Sequence, residues 1–500
     1  MSFDTVPGIL EQCADLFFDR TAFIGRRSST HSFGELLSYT RLMAAELISR
    51  GLAGRPAAII GEVGYGGLVA MFGCLMAGCP FVPINHNLSK EEQCRILEKY
   101  EIGIVFCTAR YLEQTQDLTG RIPGLTVLTD VEGLLSGADK AAEPELPPVD
   151  PADPAFLFLT ENGGAMLSHK NICASIESIA NSHDLSSYTF LSPAVWGEAF
   201  DCVIGLLLPL SAGCSIVKRG ERRGVAKAIS ESGATALTCT PQRLRSLERS
   251  LRARSEKKRS RAEITISNIF AKLSRIMGLD LSKRMYRHVH SLMGDNLKLI
   301  LCGGSYPEKD SVRQFTDWGM EVYSYYYIPE CGPLAVTEPG EKKLIPLAEL
   351  TVPAPIKDGI GELCVGGDRI PIGYYGGRTD FDAGFPTGDA GALLPDGSLE
   401  LRGRKKTLLY DKEGTMIFPE ELTAVIRKNR YVSDCSISGR FDARAGDVII
   451  TAHITPDFRE VNAVLGSKYS PNRLRLFFNR VMEQLTPELP HKVHEFRLPD

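Results

Sequence analysis

The cysteines and histidines of this sequence are spaced in a way that does not predict a metal site. The chain has 13 cysteines, but no two of them form a CxxC pair, so neither a zinc site nor a disulfide framework is expected. His288 and His290 lie two positions apart in RHVH, and on a helix such residues point to different sides. No serine, histidine and aspartate stand in a recognisable triad motif. These residue types therefore do not point to zinc or serine-nucleophile chemistry.

The glycine-rich segment GEVGYGG at 61–67 resembles a dinucleotide-binding turn only superficially. Its spacing is not GxGxxG, and no acidic residue follows at the distance that ribose recognition in such a fold needs. We interpret this segment as a loop before a helix.

The composition favours a globular protein that does not bind nucleic acid. The 500 residues include 57 Lys plus Arg and 61 Asp plus Glu, so the formal net charge is −4, whereas nucleic-acid binders usually carry a basic excess. No apolar run reaches the roughly 18 residues of a membrane-spanning helix. The N-terminal residues lack the basic start and apolar block of a secretory signal. With the unpaired cysteine pattern, these features predict a reducing compartment, the cytoplasm.

The elements that would position functional residues follow an α/β pattern. Short β-rich runs alternate with helical segments through most of the first 400 residues, which predicts parallel-rich sheets covered by helices on both faces. The predicted strands are Ala57–Ile60, Pro80–Ile84 and Gly103–Cys107.

The pattern changes toward the C-terminus. Short strands are predicted at 361–366, 398–402 and 406–410, and a smaller α+β unit follows Arg404. We therefore predict a large N-terminal domain at 1–403, a hinge at 404–406 and a small, mobile C-terminal domain at 407–500.

Five segments, in this order, resemble the adenylate-forming superfamily, the acyl-CoA synthetases and their relatives. They are SFGELLSYTRLMAAELISRGL, LVAMFGCLMAGCPFVPINHNLSKEE, LKLILCGGSYPEKD, PTGDAGALLPDGSLELRGRKK and GTMIFPEEL. Two segments are most similar to the long-chain fatty acyl branch. They are the basic segment at 243–261 and LSKRMYRHVHSLMGDNLKLILCGGS. The resemblance implies that ATP and a carboxylate give an acyl adenylate, whose acyl group then passes to coenzyme A or another thiol.

The resemblance assigns a nucleotide site. Asp389 in TGDAG would accept hydrogen bonds from the ribose hydroxyls, and Arg404 would donate to ribose or phosphate. Lys406 takes the hinge position, and Gly303 and Gly304 would let the backbone approach the purine. The alternatives are that Asp389 is an acidic turn residue, that Lys406 belongs to a solvated lysine pair, and that the two glycines form a plain tight turn.

The segment YSYYYIPECGPLAV aligns with the family's aromatic–Gly–x–Thr–Glu motif. Tyr326 takes the aromatic position beside the adenine, and Glu330 takes the magnesium-binding position. Tyr327 replaces the glycine, and Pro329 replaces the threonine that contacts the α-phosphate. Because proline has neither a hydroxyl nor a backbone N–H, Glu330 is either a magnesium ligand or a surface carboxylate.

The family's phosphate loop is shortened in this chain. The family has a loop of the kind TSGTTGxPKGVxLSH, whereas this sequence reads TENGGAMLSHK at 160–170. Of the loop's residues, Thr160, Gly163 and Gly164 are kept, while the Lys is absent and Glu161 would repel a polyphosphate. We predict a strand at 156–160, a helix opening at 166–169 and poor triphosphate binding.

Two further family features are altered. The final Gly-Lys motif, whose lysine stabilises charge during adenylation, does not appear before Asp500, and Lys492 fits that role poorly. In the segment LSPAVWGEAFD at 191–201, Val195 and Trp196 stand where relatives have a residue that lines the acyl pocket. An apolar pocket is one interpretation, and the alternative is that Trp196 belongs to the core.

Two functions follow from these observations. The first is an AMP-forming acid–thiol ligase of the acyl-CoA synthetase type, which would use ATP, Mg²⁺ and coenzyme A on a small-molecule carboxylate. The second is a pseudoenzyme or repurposed homologue that binds AMP, an acyl adenylate, acyl-CoA, an acyl carrier or another protein partner.

Overall fold

The computed structural model describes residues 2–25, 29–111, 120–129, 131–134, 145–193, 195–218, 224–256, 281–304, 309–341, 343–357, 359–381, 383–442, 447–466 and 468–499. The chain divides into two compact units. The first comprises Met1–Leu350 and Val365–Phe385, and the second comprises Thr351–Cys364 and Pro386–Asp500. Both contain helices and strands, so the predicted α/β class is confirmed. The hinge at 404–406 remains a proposal.

The first unit contains a nine-stranded sheet. Its strands are β1 (Thr21–Ile24), β2 (Thr30–Ser32), β9 (Thr189–Leu191), β10 (Ser215–Val217), β11 (Ala236–Cys239), β12 (Leu299–Cys302), β13 (Glu321–Ile328), β14 (Gly332–Thr337) and β15 (Ile345–Pro346). The order is β15-β14-β13-β12-β11-β9-β10-β1-β2. Strands β9 to β13 pair with one another in parallel, so their carboxyl ends meet at one edge.

A seven-stranded sheet also belongs to the first unit. Its strands are β3 (Ala57–Ile60), β4 (Phe81–Ile84), β5 (Ile104–Cys107), β6 (Thr126–Thr129), β7 (Pro154–Thr160), β8 (Gly163–Ser168) and β19 (Gly373–Tyr374). The order is β19-β8-β7-β4-β3-β5-β6. Every residue of β3, β4 and β5 is buried, as expected for parallel strands covered on both faces.

Helices accompany these strands along the chain. They are α1 (Val6–Phe17), α2 (Phe33–Ser49), α3 (Tyr65–Met76), α4 (Lys90–Lys99), α5 (Val131–Leu134), α6 (His169–Ala180), α7 (Ala199–Cys202), α8 (Leu208–Ser211), α9 (Val225–Ser232), α10 (Pro241–Glu256), α11 (Ser282–Met285), α12 (Arg287–Ser291) and α13 (Lys309–Asp317). Helices α2, α4 and α6 begin at serine caps with a reciprocal side-chain bond, which satisfies backbone N–H groups of the first turn. None of the helices in the described ranges is long and apolar enough to cross a membrane.

Small sheets and three α-helices make up the described residues of the second unit. Its strands are β16 (Leu350–Thr351), β17 (Pro355–Lys357), β18 (Ile360–Val365), β20 (Phe385–Leu393), β21 (Leu399–Arg404), β22 (Leu409–Tyr410), β23 (Met416–Ile417), β24 (Val432–Asp442), β25 (Asp447–Pro456) and β26 (Glu495–Arg497). Its helices are α14 (Pro419–Arg427), α15 (Phe458–Leu465) and α16 (Pro471–Leu485). The strand predicted at 406–410 is shorter than expected, because Lys405–Thr407 form a 3₁₀ turn before β22.

Candidate functional site

Asp389 and Arg404 form an ion pair in the second unit. Strands β20 and β21 are antiparallel, and these two residues are direct cross-strand partners. The Nε of Arg404 lies 3.2 Å from Oδ1 of Asp389, whose side chain is 8% exposed against 42% for Arg404. The guanidinium therefore orients a largely buried carboxylate, as hydrogen-bond recognition of a diol requires.

The turn after β21 holds Arg404 in place. Oε1 of Glu420, on α14, accepts hydrogen bonds from the Arg404 backbone N–H at 3.3 Å and from the Thr407 hydroxyl at 2.9 Å. In the same turn Lys405 pairs with Glu362 at 2.7 Å. Lys406, the predicted hinge residue, lies between Lys405 and Thr407 in this turn and is exposed.

The shortened loop is a tight β-hairpin turn in the first unit. Thr160 and Gly163 are direct partners of β7 and β8, so Glu161 and Asn162 alone form the turn. The Thr160 hydroxyl donates to the Gly163 carbonyl at 3.0 Å and accepts from the Asn162 N–H at 3.2 Å. This hydroxyl is therefore used within the turn itself.

The structure corrects the prediction for the residues that follow. Met166–Ser168 were expected to open a helix, but they complete β8, and α6 begins at His169. The reason is that these residues pair with β7, and Ser168 then caps the helix. Gly164 is required by packing, because a Cβ there would lie 2.6 Å from the Tyr100 ring and 2.8 Å from Leu157.

Glu330 is buried in the turn after β13 and accepts a hydrogen bond from a tyrosine. The Tyr374 hydroxyl donates to its Oε1 at 3.1 Å. The Asn162 side chain also bonds to that hydroxyl, and burial together with the Glu330 charge raises the pKa of Tyr374. Within the described ranges, no group of three or more His, Cys, Asp or Glu residues could hold a metal ion. The expected magnesium ligand is thus engaged by the protein's own hydroxyl.

Three consecutive aromatic residues of β13, Tyr325, Tyr326 and Tyr327, are buried. Tyr326, the predicted adenine neighbour, pairs with Ala335 of β14, and the register shifts between Tyr326 and Tyr327. The Tyr327 ring meets Phe200 edge-on, with centroids 5.4 Å apart. Burial raises the pKa of Tyr327 well above its ordinary value, so this phenol stays neutral.

Gly303 and Gly304 follow β12, as predicted, but Phe200 covers them. A Cβ on Gly303 would lie 2.5 Å from the Phe200 ring. At Gly304, where φ is +89°, a Cβ would lie 3.0 Å from Cβ of Phe200. The side chain of Phe200 therefore fills the space that the missing side chains of these glycines leave. Phe200 was not predicted as a site residue, although it lies in the segment at 191–201 that was predicted to line the acyl pocket.

The predicted acyl-pocket segment is held by a buried aspartate. The backbone N–H of Val195 donates to Oδ2 of Asp201 at 2.9 Å. Arg243 lies 3.4 Å from the same oxygen and donates to the Pro193 carbonyl at 2.8 Å. Trp196 is fully buried and packs edge-on against Phe81 with centroids 5.8 Å apart, so its ring belongs to the core.

Asp201 gives a pH dependence of stability. Burial raises its pKa to about 6, although Arg243 opposes the shift. Because this exceeds the unfolded value of about 3.9, the folded chain binds the proton more tightly, and its stability falls as pH rises from about 4 to about 6. We expect the unfolding free energy of the wild type, relative to Asp201→Asn, to fall by up to about 3 kcal/mol between pH 4 and pH 7.

Denaturant unfolding of both proteins at several pH values measures this difference. The exposed Asp15→Asn variant is the control, and it should follow the wild type throughout. Parallel curves for wild type and Asp201→Asn would contradict the assigned pKa.

The basic run, the histidine pair and the cysteines were also considered in the sequence. The basic run from Arg243 continues to Glu256 in α10, where Arg252 pairs with Glu248 at 2.7 Å, and its part at 257–261 lies outside the described residues. The Nε2 of His290 lies 2.8 Å from the Trp318 carbonyl oxygen. All 13 cysteines are buried.

Comparisons with known proteins identify relatives. The model of a family described as AMP-binding enzyme matches residues 10–375. The indoleacetate–CoA ligase of Aromatoleum aromaticum is 22% identical over 471 residues, 86% of this chain and 84% of that enzyme. The 2-succinylbenzoate–CoA ligase of Lactococcus lactis is 25% identical over 173 residues, but the match spans 38% of that ligase's length.

The likeness to the long-chain branch is partial. Long chain acyl-CoA synthetase 7 of Arabidopsis thaliana is 34% identical over 116 residues, 22% of this chain and 16% of that protein. Among solved structures, o-succinylbenzoate CoA synthetase from Bacillus subtilis, in complex with its acyl-adenylate intermediate, superposes with a TM-score of 0.74 at 19% identity and covers 98% of this chain and 94% of its own. The acyl-CoA synthetase-like fold is thereby confirmed, whereas no single acyl class is favoured.

Proposed function

Because the chain belongs to the AMP-binding enzyme family, the adenylate-forming acyl-activating ligases, we propose that it binds an AMP-type nucleotide but does not itself activate a carboxylate with ATP. The ligand is AMP or an acyl adenylate, and the relatives named CoA ligases make coenzyme A a candidate thiol acceptor. The proposed partners are an acyl carrier or another protein. Such a partner would supply the phosphate-binding groups that this chain lacks. We propose the cytoplasm as the compartment.

The observation that carries this proposal is the turn at Glu161 and Asn162. Binding of a β- and γ-phosphate needs several N–H, hydroxyl or ammonium donors that converge on the anion. Here the strands pair up to Thr160 and Gly163, so the turn has no further residues to supply them. The exposed Glu161 adds negative charge at its tip, which opposes a polyphosphate.

The residues around Glu330 also fit Mg·ATP poorly. Its Oε1 is bonded to the Tyr374 hydroxyl, and the preceding Pro329 brings no backbone N–H to an α-phosphate. Magnesium needs several oxygen ligands in octahedral geometry, and this turn offers one carboxylate. Adenylation with Mg·ATP is therefore not expected at this turn.

Ribose recognition, by contrast, fits the residues present. Asp389 is buried, held by Arg404, and belongs to the motif that resembles the family's ribose-binding sequence. An ionised carboxylate can accept hydrogen bonds from two neighbouring hydroxyls, and the partly exposed guanidinium can donate to a ribose or phosphate oxygen. These two side chains support binding of a nucleoside monophosphate.

Calorimetric titration with AMP and, separately, with Mg·ATP tests the proposal. We expect AMP to bind and Mg·ATP to bind at least about tenfold more weakly, a difference of about 1.4 kcal/mol, because each additional phosphate meets negative charge without donors. A pyrophosphate-exchange assay over a panel of carboxylic acids should show no turnover. Equal binding of both nucleotides together with exchange would show an active ligase and refute the proposal.

A further inference from the structure

Two helices of the second unit cover one face of its three-stranded sheet. Strands β24, β25 and β26 are neighbours in this sheet, and buried side chains of the sheet pack against Val461 of α15 and against Phe478 and Val481 of α16. Because the apolar side of each helix is held against the sheet, its opposite side is directed away from the core of the unit. We call these opposite sides of α15 and α16 the outer helix surface.

Three arginines of α16 lie on the outer helix surface without a charged partner. Arg473, Arg475 and Arg480 are exposed, and none of them forms an ion pair with any other residue that the structure describes. Arg459 of α15, by contrast, pairs with Glu460 at 3.3 Å. An arginine that pairs with no carboxylate of its own protein leaves its N–H donors and its charge available to an external anion.

The segment that contains both helices is basic, although the chain as a whole is acidic. Residues 458–485 include five basic and two acidic residues, whereas the formal net charge of the chain is −4. One of the two acidic residues, Glu460, is already paired with Arg430 and Arg459. Positive charge is therefore concentrated in this helical layer.

Large apolar side chains are exposed in the same layer. Leu476 of α16 is 63% exposed, and Phe458 and Val464 of α15 are 50% and 49% exposed. Leu476 follows Arg473 by three positions and precedes Arg480 by four, so the three side chains are neighbours on the helix surface.

Such a mixture of arginines and apolar side chains is typical of helices that lie on a membrane surface. There the apolar groups enter the boundary between headgroups and acyl chains, while the cations meet anionic lipids. An interface with another protein would instead gather its apolar residues in one buried centre with a polar rim. The arrangement on α16, with a leucine between arginines, favours the membrane surface.

We propose that the outer helix surface binds the surface of a bilayer that contains anionic phospholipids. Arg473, Arg475 and Arg480 attract the lipid phosphates, and Leu476 enters the headgroup boundary between them. The binding is peripheral and reversible, because a few basic and apolar side chains give far less affinity than a membrane-spanning helix. This inference goes beyond the proposed nucleotide binding and does not depend on it.

Sedimentation of the full chain with sucrose-loaded vesicles tests the proposal. The vesicles contain phosphatidylcholine alone or phosphatidylcholine with about 30% phosphatidylglycerol, an anionic lipid. We expect binding at least about tenfold tighter to the anionic vesicles, and loss of this difference at high salt, where the charges are screened.

The variant that combines Arg473→Gln, Arg475→Gln and Arg480→Gln should bind the anionic vesicles about 100-fold more weakly. Each basic residue near an anionic surface contributes about a factor of five in affinity. Leu476→Ala should weaken the same binding by about threefold to tenfold. Because all four residues are exposed and glutamine and alanine favour helices, both variants should fold, and thermal unfolding checks this.

The matched control removes three exposed arginines from other elements, by Arg95→Gln in α4, Arg284→Gln in α11 and Arg440→Gln in β24 together. It changes the net charge by the same amount and leaves the outer helix surface intact. Its affinity for the anionic vesicles should therefore stay within about threefold of the wild type.

Equal binding of the wild type to both kinds of vesicle, or binding to neither, would overturn the proposal. Undiminished binding by the folded α16 triple variant would do the same, and so would equal losses in the two triple variants, since these would reflect net charge alone. Soluble polyglutamate serves as the probe for an acidic protein partner. If the wild type binds polyglutamate through the α16 arginines but does not bind the anionic vesicles, the surface recognises acidic protein and the membrane proposal is wrong.

Discussion

Replacing Asp389 by alanine is expected to weaken AMP binding by about 100-fold or more. Hydrogen bonds to a charged group contribute about 1.5–3 kcal/mol each, so loss of two ribose hydroxyl contacts removes at least about 3 kcal/mol. The variant also leaves Arg404 without its partner at 3.2 Å, and a guanidinium that is no longer held cannot direct its donors as well. Calorimetric titration with AMP measures the loss.

A matched carboxylate on the paired strand separates ribose recognition from general charge effects. Glu400 lies on β21 and pairs with Arg402 at 2.9 Å, with its side chain 43% exposed. Glu400→Gln should therefore keep wild-type AMP affinity. Thermal unfolding of both variants shows whether they fold. Undiminished AMP binding by a folded Asp389→Ala protein would mean that the ribose is recognised elsewhere, or not at all.

The sequence predicted the buried strands well because their signal is local. A parallel strand covered on both faces is continuously apolar, so β3 matches its predicted bounds, and β5 begins one residue later than expected. Asp389 and Arg404 were predicted because their motifs resemble those of the family, and the structure adds that the two residues are direct cross-strand partners. Their role in ribose binding stays a prediction.

The long-range contacts at the glycine turn and at Glu330 could not be predicted in this way. Phe200 meets a glycine turn about 100 positions away, and the Tyr374 hydroxyl reaches Glu330 across 44 positions. Neither contact leaves a periodicity or a motif, because tertiary packing determines it. The helix predicted to open at 166–169 begins only at His169 for a related reason, since pairing with β7 holds Met166–Ser168 in a strand.

Grafting a full family-type phosphate loop onto the hairpin is expected to raise Mg·ATP affinity by about tenfold or more. Charge-assisted hydrogen bonds to phosphate contribute about 1.5–3 kcal/mol each, and ordering the longer loop offsets part of this gain. The graft should replace Glu161 and Asn162 only, with a sequence of the kind Ser-Gly-Thr-Thr-Gly-x-Pro-Lys. Gly163 and Gly164 must stay, because Gly163 closes the strand pairing and Gly164 packs under Tyr100.

A loop of the same length built from glycine and asparagine, without Ser, Thr or Lys, is the control for this graft. It removes the charge of Glu161 and restores the length and the N–H donors but adds no hydroxyl or ammonium group. It should therefore recover only the part of the gain that comes from relieved repulsion and from N–H donors. AMP affinity should be the same in both variants, because the residues proposed to bind ribose lie in β20 and β21. If the folded full graft binds Mg·ATP no better than the wild type, the two-residue turn is not the cause of weak triphosphate binding. The Tyr374–Glu330 hydrogen bond would then be the next contact to remove, by Tyr374→Phe.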